Sequence, residues 1–342
     1  MHAAALWFAV QEELEAKRET GLETERGSAL DALDDDLIFR TFHLSRAAVT
    51  FVTDCVRGAL EPPADSAVLA ALCFYAHGSV RPDAADALGL TPDCVGRAVD
   101  AVSVALAQRL KLFVTFPGSH GDRALVAHDI YRRYGVPNVV GALGCLHAPV
   151  APPAGEEALY LNRGHFHSLA CQMACDSQGN LLSVEEPRPG GAAEQSVWEA
   201  SRLCAQFAGG KHGHCWLVGA NCYLLSKHVL TPLTCVKSHP GIRYNEAHFK
   251  IQSIIHQTFG AMKVRFQCLK NLGPIEKSAP HRLATIIKAC CVLHNIAKKF
   301  SVPLPGELVP EAAYHGPNRE ENNVDCNLVL FREEMIRAFF TL

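Results

Sequence analysis

The run Leu217-Val218-Gly219-Ala220-Asn221-Cys222-Tyr223-Leu224 raises the first chemical question. Apolar residues lead into Gly-Ala-Asn, the pattern of a buried strand delivering its last residues to a sheet edge, where α/β proteins place their chemistry. An acid, a base or a nucleophile would be ordinary there, and position 220 is alanine. Histidine and cysteine are the other chemistry-bearing types, 17 and 14 of them. His165, His167, His212, His214, Cys215 and His256 suggest zinc, which accepts imidazole and thiolate and is satisfied by four ligands. No pair among them has the Cys-x2-Cys or His-x3-His spacing of a zinc finger. With so many of both types, chance proximity is the simpler reading.

The elements that must position such residues sit in a chain of 342 residues, long enough for two domains or one domain with an appendage. Apolar residues at 49% support a substantial core, and a net charge of −3 announces neither nucleic acid nor membrane. The charge is unevenly spread. Residues 1–40 carry ten acids and four bases, whereas 243–300 carry ten bases and two acids. A basic segment of that kind can meet phosphates while an acidic arm shields it or recruits a partner; the plainer alternative is two solvated faces. The opening MHAAALWFAV has no basic n-region, and no apolar run reaches the ~18 residues a membrane span needs. The cysteines are therefore expected to be reduced and mostly buried, with no membrane partner.

Residues 1–36 form an acidic arm, and 37–116 a helical segment. Ser45 can cap RAAVTFVTDCVRGAL, with Val49, Val52 and Val56 on one side. AVLAALCFYAHGS follows as an apolar helix, then a short helix ending at Gly89-Leu90 and a longer one capped by Thr91 with Pro92 in its first turn. That pair has a helix-turn-helix outline, although Asp93 and Asp100 suit a major groove poorly. From 138 to 300 the texture is a strand (NVVGALGCLHAPV), a hairpin about Asp176-Ser177-Gln178-Gly179-Asn180, one amphipathic helix (EQSVWEASRLCAQFA), the strand CWLVGANCYLL and two further helices. Ile255, Phe259, Met262 and Phe266 mark the buried side of the first of these. Residues 301–342 read as a Pro-rich linker and an acidic helix. The predicted fold class is α/β: a ribonuclease-H-like mixed sheet flanked by helices, preceded by the all-helical, helix-turn-helix-like segment.

The strings VVGALGCLHAPV, YLNRGHFHSLACQMACDSQGNLLSVEEPRPGG, WLVGANCYLLSKHVLTPL, RYNEAHFKIQSIIHQTFGAMKVRFQCL and ACCVLHNIA resemble, in this order, the Harbinger transposase-derived nucleases of the DDE superfamily. The resemblance spans about 40–300 and implies three carboxylates holding two divalent cations, Mg²⁺ or Mn²⁺, for phosphodiester cleavage. The family's Asp-Cys-x-His is here Gly144-Cys145-Leu146-His147. Its Gly-Asp-(Ser/Ala) is Gly219-Ala220-Asn221, and its Ile-Glu is Ile255-His256. All three acids are replaced, at Gly144, Ala220 and His256, so the expectation is a lost catalytic site with no divalent metal bound. Asp176 and Glu194 are the residual metal candidates. Against that stand a hairpin-closing role for Asp176 and a helix-first-turn role for Glu194.

Arg163, Lys263 and Arg265 occupy motif positions of a flank that the resemblance turns towards the phosphate backbone. The resemblance also implies a nuclear protein, with the cytoplasm as a second compartment, and a Myb-like DNA-binding partner. Three functions are thereby in play: a DNA- or protein-binding derivative without cleavage, an active metal-dependent nuclease using Asp176 and Glu194, and a protein-interaction scaffold without DNA binding.

Overall fold

The computed structural model describes residues 30–31, 33–79, 92–270, 280–311 and 325–341. Most of the acidic arm, the first helix of the helix-turn-helix pair with Gly89, Leu90 and Thr91, and the linker after Glu311 lie outside the described residues. In chain order the principal elements are α1 (Asp35–Phe42), α2 (Arg46–Arg57), α3 (Ala64–His77), α4 (Pro92–Gln108), α5 (His120–Tyr134), β1 (Val139–Pro149), β2 (Ser168–Cys175), β3 (Leu181–Val184), β4 (Arg188–Pro189), α6 (Glu194–Glu199), α7 (Arg202–Ala208), β5 (Trp216–Gly219), β6 (Val229–Leu230), α8 (His239–Arg265), α9 (Pro280–Lys299) and α10 (Cys326–Phe340). Among the described residues no helix is long and apolar enough to cross a membrane. The fourteen cysteines are all free thiols.

Two compact units emerge. One takes the described residues up to Thr115 with 148–154 and 260–309; the other takes 116–147, 155–259 and the described residues from Pro310 onward. The first unit is helical. Asp34 caps α1 by accepting from Leu37 N at 2.7 Å, and Ser45 caps α2 by accepting from Ala48 N at 3.3 Å. Val49, Val52 and Val56 form the buried stripe of α2, as their spacing predicts. Helices α3 and α9 both pack on α4. Tyr75 and Ser103 share a buried hydrogen bond of 2.6 Å, and Asn295 on α9 donates to the Phe113 carbonyl at 2.8 Å.

Arg265 belongs to this core rather than to a phosphate-binding flank. Only 4% of it is exposed. Its guanidinium donates to the carbonyls of His43, Val302 (2.8 Å) and Pro303 (3.0 Å), and the ring Nδ1 of His43 lies 2.7 Å from the Arg265 carbonyl. Burial lowers the guanidinium to about 10, still charged at neutral pH. A planar fork of donors can serve several carbonyls at once, which is why an arginine can be buried without an acid here.

The second unit carries a six-stranded mixed sheet, ordered β3-β2-β1-β5-β6 with β4 also on β2. Strand β1 is parallel to β5, and β5 to β6; β2 is antiparallel to β3 and β4. This is the predicted ribonuclease-H-like architecture. β1 is buried along most of its length because it is central, which matches its near-continuous apolar run.

Two expectations need correction. The amphipathic segment after residue 193 is two short helices, α6 and α7, because Ser201 donates to the Trp198 carbonyl at 2.6 Å and accepts from Cys204 N at 3.0 Å, capping a new helix. The C-terminal helix is not acidic within its bounds, since Glu333 and Glu334 are matched by Arg332 and Arg337. Arg332 is fully buried, with its guanidinium against Thr231.

Arg265→Ala should lower the unfolding free energy by about 2–4 kcal/mol in urea denaturation, because three carbonyls, two of them buried, lose a charged donor. Arg265→Lys should recover little of it, since an ammonium does not reproduce the fork.

Candidate functional site

Gly144 stands on β1, Ala220 just past the end of β5, and His256 on α8. All three line one cleft in the sheet unit, with Cys145, His147, Glu194, Cys222, Tyr223, Gln252 and Glu311. The cleft has about 40 Å³ of free volume, room for ordered water.

Each wall has a local cause. Gln252 donates its amide to the Leu143 carbonyl at 3.1 Å, tying α8 to β1 one turn before His256. On β1, His147 Nδ1 lies 2.9 Å from Ser168 Oγ, which also accepts from Asn162 at 2.8 Å. The chain turns sharply after β5. A Cβ at Gly219 would fall 2.8 Å from Tyr223 and 2.9 Å from Val229, so glycine is required for that close approach. His248 Nε2 is 3.1 Å from the Gly219 carbonyl and 3.4 Å from the Leu230 carbonyl, fixing the strand ends beside Ala220. Its burial, the largest effect, pulls the imidazole down to about 4.

The electrostatics do not suit a two-metal centre. Divalent magnesium and manganese need oxygen ligands, and the positions assigned to the family's acids supply none from Gly144 or Ala220 and a nitrogen from His256. A side chain at Gly144 would also be crowded. A Cβ there would lie 3.2 and 3.3 Å from Ile255 Cγ1 and Cγ2, and 3.3 Å from Phe259 Cε2. Glu194, the one acid on α6 facing the cleft, has its Oε2 buried without a hydrogen-bond donor and its counter-charge, Arg163 Nη1, 3.5 Å away. Cys145 is held as a neutral thiol, raised by burial first and by the Glu194 charge second; its Sγ is 3.8 Å from the Tyr223 hydroxyl. The residues present do not fit the family's divalent metals.

Asp176 does not line this cleft. Its carboxylate accepts from Gln178 N and Asn180 N, both at 2.9 Å, and from Asn180 Nδ2 at 2.8 Å. It closes the β2–β3 hairpin, with its acceptors engaged, and does not join Glu194 in the cleft lining. Nor does zinc gain support from geometry. His212 lies among Phe116 and Phe207, at centroid distances of 4.3 and 4.9 Å. Among the described residues no three His, Cys, Asp or Glu side chains are grouped to hold a metal ion.

Of the proposed phosphate contacts, Arg163 is partly exposed but engaged with Glu194, Lys263 is half-buried on α8, and Arg265 is buried. Two cleft residues escaped sequence reasoning. Gln252 could have been found as the position one turn before His256. Glu311 could not: it arrives from the Pro-rich linker, where its backbone N donates to the His256 carbonyl at 3.1 Å.

A central strand, parallel partners beyond it and a cleft where β1, the end of β5 and α8 meet define a DDE-type protein of ribonuclease-H-like fold. A family model described as DDE superfamily endonuclease matches residues 143–295. The candidate nuclease HARBI1 of Bos taurus and that of Homo sapiens are each 31% identical over 327 residues, 91% of this chain and 93% of theirs. The Arabidopsis thaliana protein named antagonist of like heterochromatin protein 1 is 25% identical over 296 residues, 77% of this chain and 73% of its own. No solved structure matches. The chain belongs to the Harbinger transposase-derived nucleases.

Two outcomes follow from the cleft. Gly144→Asp should destabilise the protein by about 1–3 kcal/mol through overpacking against Ile255 and Phe259. Ala220→Asp, at a partly exposed position, should cost less than about 1 kcal/mol; urea denaturation of the two variants checks the difference. Acid should also loosen the sheet unit through His248. Its folded value lies below the unfolded 6.5, so the neutral-imidazole stability is complete above pH 6.5 and falls away as pH drops towards about 4. The urea midpoint should decline across that window, and less steeply in a folded His248→Gln variant.

Proposed function

We propose that this chain is a transposase-derived protein that binds nucleic acid without cleaving it. The cleft carries the reading: the three positions assigned to the family's acids converge there, and two of them have no ligand atom beyond the backbone. The packing at Gly144 supports it, because Ile255 and Phe259 fill the space a longer side chain would need.

The binding half of the proposal draws on the first turns of α8. Arg243 and Lys250 are both exposed, as are His239 at the start of the helix and Lys237 just before it. They replace Arg265 in the phosphate-contacting set. The protein's working compartment in this reading is the nucleus, and its companion a DNA-binding protein of Myb type. The name of the Arabidopsis relative describes an antagonist of a heterochromatin protein, which supports a chromatin-associated partner as a second reading.

Binding of a labelled duplex in EDTA tests the proposal without reference to cleavage. Affinity should fall with salt, and Arg243→Glu with Lys250→Glu should flatten the logarithmic salt slope by about 1.8, some 0.9 per lost phosphate contact. A slope unchanged by the double reversal would remove this surface from the account.

A further inference from the structure

The same part of α8 exposes apolar side chains among its cations. Phe249 is 68% exposed and Ile242 47%, seven residues apart and therefore on one stripe, about 10.5 Å along the axis. Val236, 38% exposed, continues the patch, since its Cγ1 lies 3.3 Å from where a Cβ on Gly241 would stand. Arg243 and Lys250 form a neighbouring stripe with the same spacing, and Lys237 is exposed next to Val236. Glu246 is the single acid in the helix. Seven residues beyond Phe249, the stripe reaches His256 and the cleft.

We infer that this face is a stacking platform for an unpaired nucleic-acid strand, with Phe249 as the base-stacking residue and Lys237, Arg243 and Lys250 as its phosphate contacts. The inference rests on the nucleic-acid-binding reading and specifies the substrate class. Three cations against one acid favour a polyanion over a neutral or basic protein surface. An aromatic ring standing out between cations matches the way single strands are held, by backbone charge and base stacking together. A duplex hides its base faces, and inserting Phe249 would require unstacking a step first. The 10.5 Å repeat spans about three nucleotide rises of ~3.4 Å, so both stripes can serve one strand. Its path along the stripe leads towards His256 at the cleft.

The test compares a labelled 12-nucleotide single strand of mixed sequence with its duplex, by fluorescence anisotropy of the full chain in EDTA at low salt. The single strand should bind more tightly. Phe249→Ala should weaken it about ten- to hundredfold while leaving the duplex within about twofold. Phe249→Trp should keep the affinity and add a tryptophan emission that the strand quenches. Because the ring is exposed, circular dichroism and the thermal midpoint should be unchanged in both variants. Equal weakening of strand and duplex by Phe249→Ala, or a preference for duplex, overturns the platform while nucleic-acid binding stands. No binding of either form overturns the nucleic-acid reading itself. Phe249-dependent binding of phosphatidylserine vesicles with no single-strand preference would assign the face to lipid and also overturn the platform.

Discussion

The contact on which the sheet unit turns is that of α8 against β1. Gln252 hydrogen-bonds the Leu143 carbonyl, and Ile255 and Phe259 press on the bare backbone of Gly144. A strand interior tolerates glycine poorly unless another group occupies the missing side chain's place, and here two large apolar side chains do. In an acid-bearing relative a carboxylate at this position would need room and a cation beside it. At Gly144 apolar contact takes that place, and the glycine is part of the core. A side chain at 144 therefore requires Ile255 and Phe259 to shift by a few tenths of an ångström.

The charges around the cleft are arranged to be tolerated without a metal. Arg163 offsets Glu194 and the Cys145 thiol is kept neutral, while Asp176, outside the cleft lining, is absorbed by its own hairpin. In the helical unit Arg265 does comparable structural service, gathering carbonyls from separate parts of the chain. The cations thus divide by environment: Arg265 serves carbonyls, Arg163 pairs with Glu194, and Arg243 and Lys250 on α8 are exposed.

Much of the architecture can be read from periodicity. The central strand and the buried stripe Ile255, Phe259, Met262, Phe266 have patterns that burial alone imposes, and the Asp176–Asn180 turn cluster marks the hairpin. The Ser201 break was harder, because one hydroxyl served by two backbone partners outweighs an otherwise continuous amphipathic pattern. Glu311 was beyond sequence reasoning, since nothing in a Pro-rich linker says which helix it will cross. Arg265 misled because a motif position gives residue type without environment: a cation wanted by three carbonyls and a cation wanted by a phosphate look alike in a sequence. Phe249 was passed over for the opposite reason, an aromatic on a helix being by default a core residue.

The central claim is that the cleft does not support metal-dependent phosphodiester cleavage. The most direct measurement is incubation of the purified full chain with supercoiled plasmid and with short single strands and duplexes, in Mg²⁺, in Mn²⁺ and in EDTA. Substrates left intact under every condition, by protein that still binds them, are the predicted result. Cleavage that appears with either metal, vanishes in EDTA and is lost in Glu194→Gln would contradict the account and restore the cleft as a working nuclease site.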